Sequence, residues 1–201
     1  MSKRSKDKWK IKKWYEILSP PPFGEVEIGS TISDDPSKLL GRTIEVSLFD
    51  ITKDFSHQYT LLYFQVVKVE GSKGRTMFQG HELLKDYIRS LIRRRSTKID
   101  FIMDVTTKDG YKLRLSTVML TNQKTSTSRS SAIRSAVHKV AEETAKKSNF
   151  EEIAKAVVYG NMNELMTQEA KKVEPLRFLA VFKSILIESP LPVGGKSSEK
   201  A

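Results

Sequence analysis

The sequence predicts an α+β fold: strands first, one helix inserted among them, and a group of helices towards the C-terminus. Three observations carry this. Apolar residues alternate with period two through most of residues 43–121. A single stripe of helical period interrupts them at 83–92. After residue 130 the helical period takes over, until an apolar run at 176–187.

In chain order, residues 1–22 read as an extended basic tail and a proline-rich connector. Between residues 2 and 13 stand seven Lys or Arg against Asp7 alone, a net charge of +6. Such a stretch repels itself and has little to bury. Pro20, Pro21 and Pro22 force an extended connector, and the fold is expected to start after it.

The core is expected over 23–122. In "RTIEVSL", Ile44, Val46 and Leu48 alternate with polar residues, as in a half-buried strand. "YTLLYFQVVKVE" is apolar on both faces and reads as a central strand, which "GSKG" turns back into "RTMFQG". Ile99, Phe101, Met103 and Val105 pair with Tyr111, Leu113 and Leu115 across Asp109-Gly110, two residues that tolerate positive φ. The inserted helix, near 81–95, carries Leu83, Leu84, Tyr87, Ile88, Leu91 and Ile92 on one face.

Residues 123–189 read as helices plus a final strand. "SAIRSAVHKVAEETAKK" has one apolar face. "NFEEIAKAVVYG" opens with Asn149 and Glu152 spaced as a capping box and closes at Gly160. "NMNELMTQEAKKV" is stopped before Pro175. "LRFLAVFKSILI" reads as a buried strand returning to the sheet, although its period also admits a helix. Residues 190–201 read as a flexible tail.

The formal net charge is +11, and there is no cysteine. A disulfide framework, thiolate metal site or cysteine nucleophile is therefore excluded. No apolar run approaches the ~20 residues that span a bilayer, and no apolar segment follows the basic start as in a signal peptide. The expected location is the cytosol, and the expected partner a polyanion. Neither a small-molecule substrate nor a membrane is expected. No HExxH, GxSxG, P-loop or GxGxxG occurs. Asp100 and Asp104 fall on the solvent face of a half-buried strand, a commoner origin of that spacing than paired-carboxylate catalysis. His138 lies between Arg134 and Lys139 on a helix surface. No enzyme, metal or cofactor is expected.

The candidate RNA-binding residues follow from the placement of charge. In the tail they are Lys8, Trp9, Lys10, Lys12, Lys13 and Trp14, with the tryptophans offered as stacking surfaces. At the inserted helix they are Lys85, Arg89, Arg93, Arg94, Arg95 and Lys98. On the hairpin they are Lys112 and Arg114. Beyond it stand Lys124 and Arg129, in a polar linker expected to order on phosphates, then Arg134 and Lys139. Helix-dipole compensation accounts for one or two of these charges, and solvated surface or edge protection for others. Residues 85–98, however, hold six Lys or Arg against Asp86, a net +5. Self-repulsion opposes that grouping, and a phosphate backbone relieves it.

"KKWYEILSPPPFGEVEIGST", "GRTIEVSLFDITKD", "FQGHELLKDYIRSLIRRRSTKID", "DVTTKDGYKLRLSTVMLT" and "VEPLRFLAVFKSILI" occur in this order. From about Lys12 to Pro190 the sequence resembles the S3a (eS1) family of small-subunit ribosomal proteins, shared by archaea and eukaryotes. The short length and charged tail resemble its archaeal members. The resemblance implies a β-barrel-like core decorated by helices, with extended termini. It implies a structural role in translation, bound to small-subunit rRNA and neighbouring ribosomal proteins on the platform, near the mRNA exit and the rRNA 3′ end. It implies a cytoplasmic, ribosome-bound protein without a catalytic site. The competing reading is a free RNA- or DNA-binding regulator or chromatin protein.

Overall fold

Two hairpins and one returning strand build the sheet. The computed structural model of the chain describes residue 9 and residues 12–190, so Lys8, Lys10 and residues 191–201 lie outside the described residues. In chain order the elements are β1 (Lys13–Leu18), β2 (Glu27–Ser33), β3 (Thr43–Ser47), α1 (Leu48–Thr52), β4 (Thr60–Glu70), β5 (Lys73–Leu83), α2 (Lys85–Leu91), β6 (Lys98–Thr106), β7 (Lys112–Thr121), α3 (Thr127–Lys147), α4 (Phe150–Val158), α5 (Asn161–Lys171) and β8 (Leu176–Glu188).

The β4–β5 hairpin turns at Gly71 (φ 62) and the β6–β7 hairpin at Gly110 (φ 81), where glycine adopts the left-handed region without a Cβ clash. β8 enters antiparallel between β7 and β5 and joins the hairpins. β1 runs parallel to the start of β5, β2 pairs with β1, and β3 pairs with β4. All eight strands form one sheet.

This sheet is open, which corrects the expected β-barrel-like core. A small second core of Tyr15, Ile17, Leu39 and Val66 curls the β1–β2 and β3–β4 edges towards each other. The edges do not form a ladder. Between them the Arg42 guanidinium donates to Thr31 Oγ1 (3.0 Å) and to the Ile32 carbonyl (3.3 Å). A side chain thus bridges where a closed barrel has backbone hydrogen bonds.

The start of the fold is also corrected. β1 precedes the three prolines, with Tyr15 and Ile17 buried, so the sheet begins inside the predicted tail. The prolines do not form an extended connector. Residues 21–23 make a 3-10 turn that delivers Phe23 onto Phe64 and Phe78, at ring distances of 5.5 and 5.7 Å.

The main core lies between one face of the sheet and the layer α3–α5. Ile99, Met103, Val105, Leu113, Leu115 and Met119 meet Ile133, Val137, Ala141, Ile153, Met162 and Met166. Both sides of the predicted capping box are present at Asn149 and Glu152, and β8 is a strand as expected. α2 packs on the opposite face, where Ile88 shares a shallow cleft with Val118 and Phe182. It is shorter than the predicted 81–95 helix. Leu83 still pairs with Thr60 in the ladder, and the Leu84 amide donates to the Tyr59 carbonyl at 2.9 Å.

β8 and β5 pair over only three residues, Gly80–Glu82 against Lys183–Ile185. A Cβ at Gly80 would collide with the Ser184 carbonyl oxygen. His81, 2% exposed, places Nε2 3.0 Å from the Val181 carbonyl and Nδ1 2.6 Å from Ser184 Oγ. A carbonyl only accepts, so Nε2 carries the proton and the Ser184 hydroxyl donates to Nδ1. Ser184 Oγ in turn accepts from the His81 amide at 3.0 Å. Burial pushes the His81 pKa down to about 4. Lys183 and Glu82 close the junction with an ion pair at 2.8 Å.

Two outcomes are expected. Gly80→Ala forces the strands apart and lowers unfolding stability by roughly 1–3 kcal/mol in urea titration. The second concerns pH. The unfolded His81 binds its proton near pH 6.5 and the folded one only near 4, so stability falls as pH drops through that window. The loss reaches at most about 3 kcal/mol. His81→Leu removes this component of the pH dependence while lowering stability at pH 7, because the buried Ser184 hydroxyl loses its Nδ1 acceptor and the Val181 carbonyl loses its Nε2 donor.

Candidate nucleic-acid interface

The Arg93–Arg95 run is a turn, not the last turn of a helix. α2 stops at Leu91, and the Ser96 amide and hydroxyl both donate to the Arg93 carbonyl, at 3.4 and 2.7 Å. Arg95 occupies the left-handed region at φ 64, a conformation costly for a residue with a Cβ. All three arginines are exposed. Among the described residues none makes an ion pair, and neither do Lys85 and Lys124.

A pair of threonines fixes the neighbourhood of this turn. The Thr97 amide donates to Thr121 Oγ1 (3.0 Å), and the Thr121 amide donates to the Thr97 carbonyl (3.1 Å). Thr121 Oγ1 donates to the Gln123 carbonyl at 2.5 Å. The Thr125 amide donates to Thr97 Oγ1 (3.0 Å), and the Asn122 amide to the Pro175 carbonyl (3.3 Å). The start of β6, the end of β7, the loop into α3 and the start of β8 are thereby held together at one end of the sheet.

That end collects Arg93, Arg94, Arg95, Lys98, Lys124, Arg129 and Arg134. Several are partly engaged. Lys98 pairs with Asp100 at 2.9 Å, and Arg134 Nε donates to the Asp100 carbonyl at 3.4 Å. Arg129 donates to the largely buried Glu174 at 2.9 Å. Arg129 stands in the first turn of α3, which starts at Thr127 with Ser126 as its cap, so the helix begins inside the predicted polar linker. Lys85 and Arg89 extend the basic surface along α2, where Arg89 meets only Asp86, at 3.3 Å with both side chains well exposed.

The remaining predicted residues lie elsewhere. Lys112 and Arg114 sit at the opposite end of β7, about 25 Å away at ~3.3 Å per residue, and both are paired. Lys112 meets Glu188 at 2.6 Å. Arg114 grips Asp104 through two hydrogen bonds of 2.8 and 2.9 Å, which hold the Asp104 carboxyl below the usual carboxylate range. Lys13 and Trp14 open β1, with Lys12 just before it, and β1 pairs through Glu16–Leu18 with the start of β5, at the other end of β5 from α2. Trp9 and Trp14 are each 66% exposed, and Lys12 Nζ lies 4.1 Å from the Trp9 ring centroid. Lys139 lines an open groove between α3 and α5.

Sequence reasoning missed Arg177, exposed at the start of β8 beside the same basic end. It stands in an apolar run, and nothing local reveals which end of the sheet that run starts from. Among the described residues no three His, Asp or Glu side chains converge to hold a metal ion.

Residues 1–190 match the ribosomal S3Ae family. The chain belongs to that family. Similar proteins include the small ribosomal subunit protein eS1 of Staphylothermus marinus, 45% identical over 191 residues, covering 95% of this chain and 90% of that one. The protein of the same name from Aeropyrum pernix is 45% identical, covering 94% and 90%. That from Sulfurisphaera tokodaii is 45% identical, covering 92% and 96%. These S3Ae-family relatives are all archaeal.

In an S3Ae-family chain with this turn, Arg95→Gly tests the cost of the left-handed conformation. It is expected to raise unfolding stability by about 0.5–1 kcal/mol in urea titration, because glycine relieves the left-handed strain.

Proposed function

We propose that this ribosomal protein is a structural constituent of the small subunit. It binds small-subunit rRNA on the platform, near the mRNA exit and the rRNA 3′ end, beside neighbouring ribosomal proteins. It works ribosome-bound in the cytoplasm. The observation that carries the binding part is the Arg93–Arg95 turn. Three exposed guanidinium groups without acidic partners among the described residues stand at a rigidly tied end of the sheet, in a family named for the ribosome. The family resemblance supports the platform location. Guanidinium groups take phosphate oxygens in bidentate fashion, and binding releases counterions from the nucleic acid. These interactions position the chain through shape and charge, with little base readout.

The test is sedimentation of a cell lysate through a sucrose gradient, following wild type and the triple variant Arg93→Glu, Arg94→Glu, Arg95→Glu. Wild type is expected with the small subunit at high salt, and the folded triple variant near the top. With isolated rRNA, the variant's log-affinity against log-salt slope is expected to flatten by ~0.7–0.9 for each phosphate it no longer neutralises. Wild type remaining at the top of the gradient overturns the ribosomal assignment in favour of a free nucleic-acid-binding regulator.

A further inference from the structure

On the sheet face that carries α2, the helix leaves a shallow cleft of about 170 Å³ beside it, the room of one nucleobase. Its floor is apolar, made of Ile88 from α2, Val118 from β7 and Phe182 from β8. Ile92 also lines it and stays 43% exposed, although a large apolar side chain gains by burial. The α2 wall is tied at both ends. The Leu84 amide donates to the Tyr59 carbonyl (2.9 Å), and the Ile92 amide to the Arg89 carbonyl (3.2 Å).

Cations flank this apolar floor. Lys85 and Arg89 line the cleft from α2, and Lys98 lines it from β6. Asp100 is the one carboxylate in the lining, and Lys98 pairs with it at 2.9 Å. An ammonium group has three donors, so Lys98 keeps others for an anion. Lys85 has no acidic partner among the described residues. Arg89 meets only Asp86, which is outside the lining, and both of those side chains are well exposed. Lys98 also belongs to the basic end of the sheet, and Arg93 directly follows Ile92, so the cleft continues that surface.

An apolar hollow between cations suits a group that is planar, apolar on its faces and joined to a phosphate on either side. We infer that the cleft holds one nucleobase extruded from the rRNA, while Lys85, Arg89 and Lys98 take the phosphates that flank it. The base exchanges stacking on its neighbours for contact with Ile88, Ile92, Val118 and Phe182. A fully paired helix keeps its bases stacked and offers only phosphates. An acidic side chain of a protein carries its charge at the tip and would bring it onto the apolar floor. The inference rests on the rRNA-binding reading and adds the feature of the RNA that this surface selects, an unpaired nucleotide.

The experiment measures binding of the full chain to three RNA hairpins. One has a single bulged adenosine, one has an abasic nucleotide in that bulge, and one is fully paired. The first two carry the same number of phosphates, so their difference reports the base alone. Wild type is expected to bind the bulged adenosine about ten-fold tighter than the abasic hairpin. Ile92→Ser changes an exposed residue and no charge. It is expected to abolish that preference and to bind the fully paired hairpin as wild type does. Should Ile92→Ser not fold, the wild-type comparison decides alone. Equal binding of the bulged and abasic hairpins by wild type overturns the nucleobase site and leaves the rRNA-binding reading standing. A preference that Ile92→Ser keeps in full also overturns the site, because the base then sits elsewhere. Binding of none of the three overturns the rRNA-binding reading and the site with it. Equal binding of all three, with Ile92→Ser lost from the small subunit in the gradient, overturns the site and assigns the cleft to a protein contact.

Discussion

The three-residue junction between β5 and β8 is the constraint on which the rest depends. Each hairpin forms from neighbours in sequence, but nothing local joins them. β8 does so, arriving after α3, α4 and α5 to lie between β7 and β5. The helices thus form one excursion between adjacent strands and cover the sheet face that the excursion leaves open. The contact is close because Gly80 has no side chain. It is directional because His81 and Ser184 exchange hydrogen bonds that leave neither side chain with an unpaired buried polar atom. Residues about 100 positions apart meet here, so loop-closure entropy opposes this contact more than it opposes either hairpin.

The charge is managed in two ways. Along the ladders, opposite charges face each other: Asp104 with Arg114, Lys112 with Glu188, Glu82 with Lys183. Mostly exposed pairs of this kind contribute little stability, but they leave that surface near neutral. At the end where β6 starts and β7 finishes, Lys98 and Arg129 still have acidic partners, but the Arg93–Arg95 turn has none among the described residues. Arginines accumulate in a turn, one of them in a strained conformation, and threonine hydrogen bonds rather than acidic partners hold them in place. A surface that keeps its cations unpaired on a rigid support is pre-organised for a polyanion, since little ordering remains to be done on binding.

Much of the fold is legible locally because period and punctuation are local properties. The Asp109-Gly110 hairpin and the Asn149–Glu152 cap each follow from residues within a dozen positions, whereas the period of 176–187 admits strand and helix alike and its pairing with β7 and β5 makes it a strand. The start of the fold is not legible in this way. "KWYEIL" alternates over only six residues inside a run of lysines, and what makes it a strand is β2 on one side and β5 on the other. The length of α2 departs from its apolar stripe for the same reason. Leu83 and Leu84 fit a helical period, but pairing with Thr60 and Tyr59 holds them in the sheet. The barrel expectation comes from family likeness, and only the arrangement around Leu39 and Arg42 shows that the edges stop short of a ladder.

The sequence by itself determined the excess of positive charge, the absence of cysteine chemistry, the strand-then-helix order and the family. All of these are functions of which residues follow which. The tertiary structure decided which cations act together. Lys112 and Arg114 read like Arg93–Arg95 in the chain, yet strand pairing brings Glu188 and Asp104 to the first pair, and chain reversal after α2 leaves the arginines without such partners among the described residues. Whether a charge is neutralised inside the fold or presented to a partner depends on what stands across a ladder or around a turn, and that separation in space has no counterpart in sequence distance.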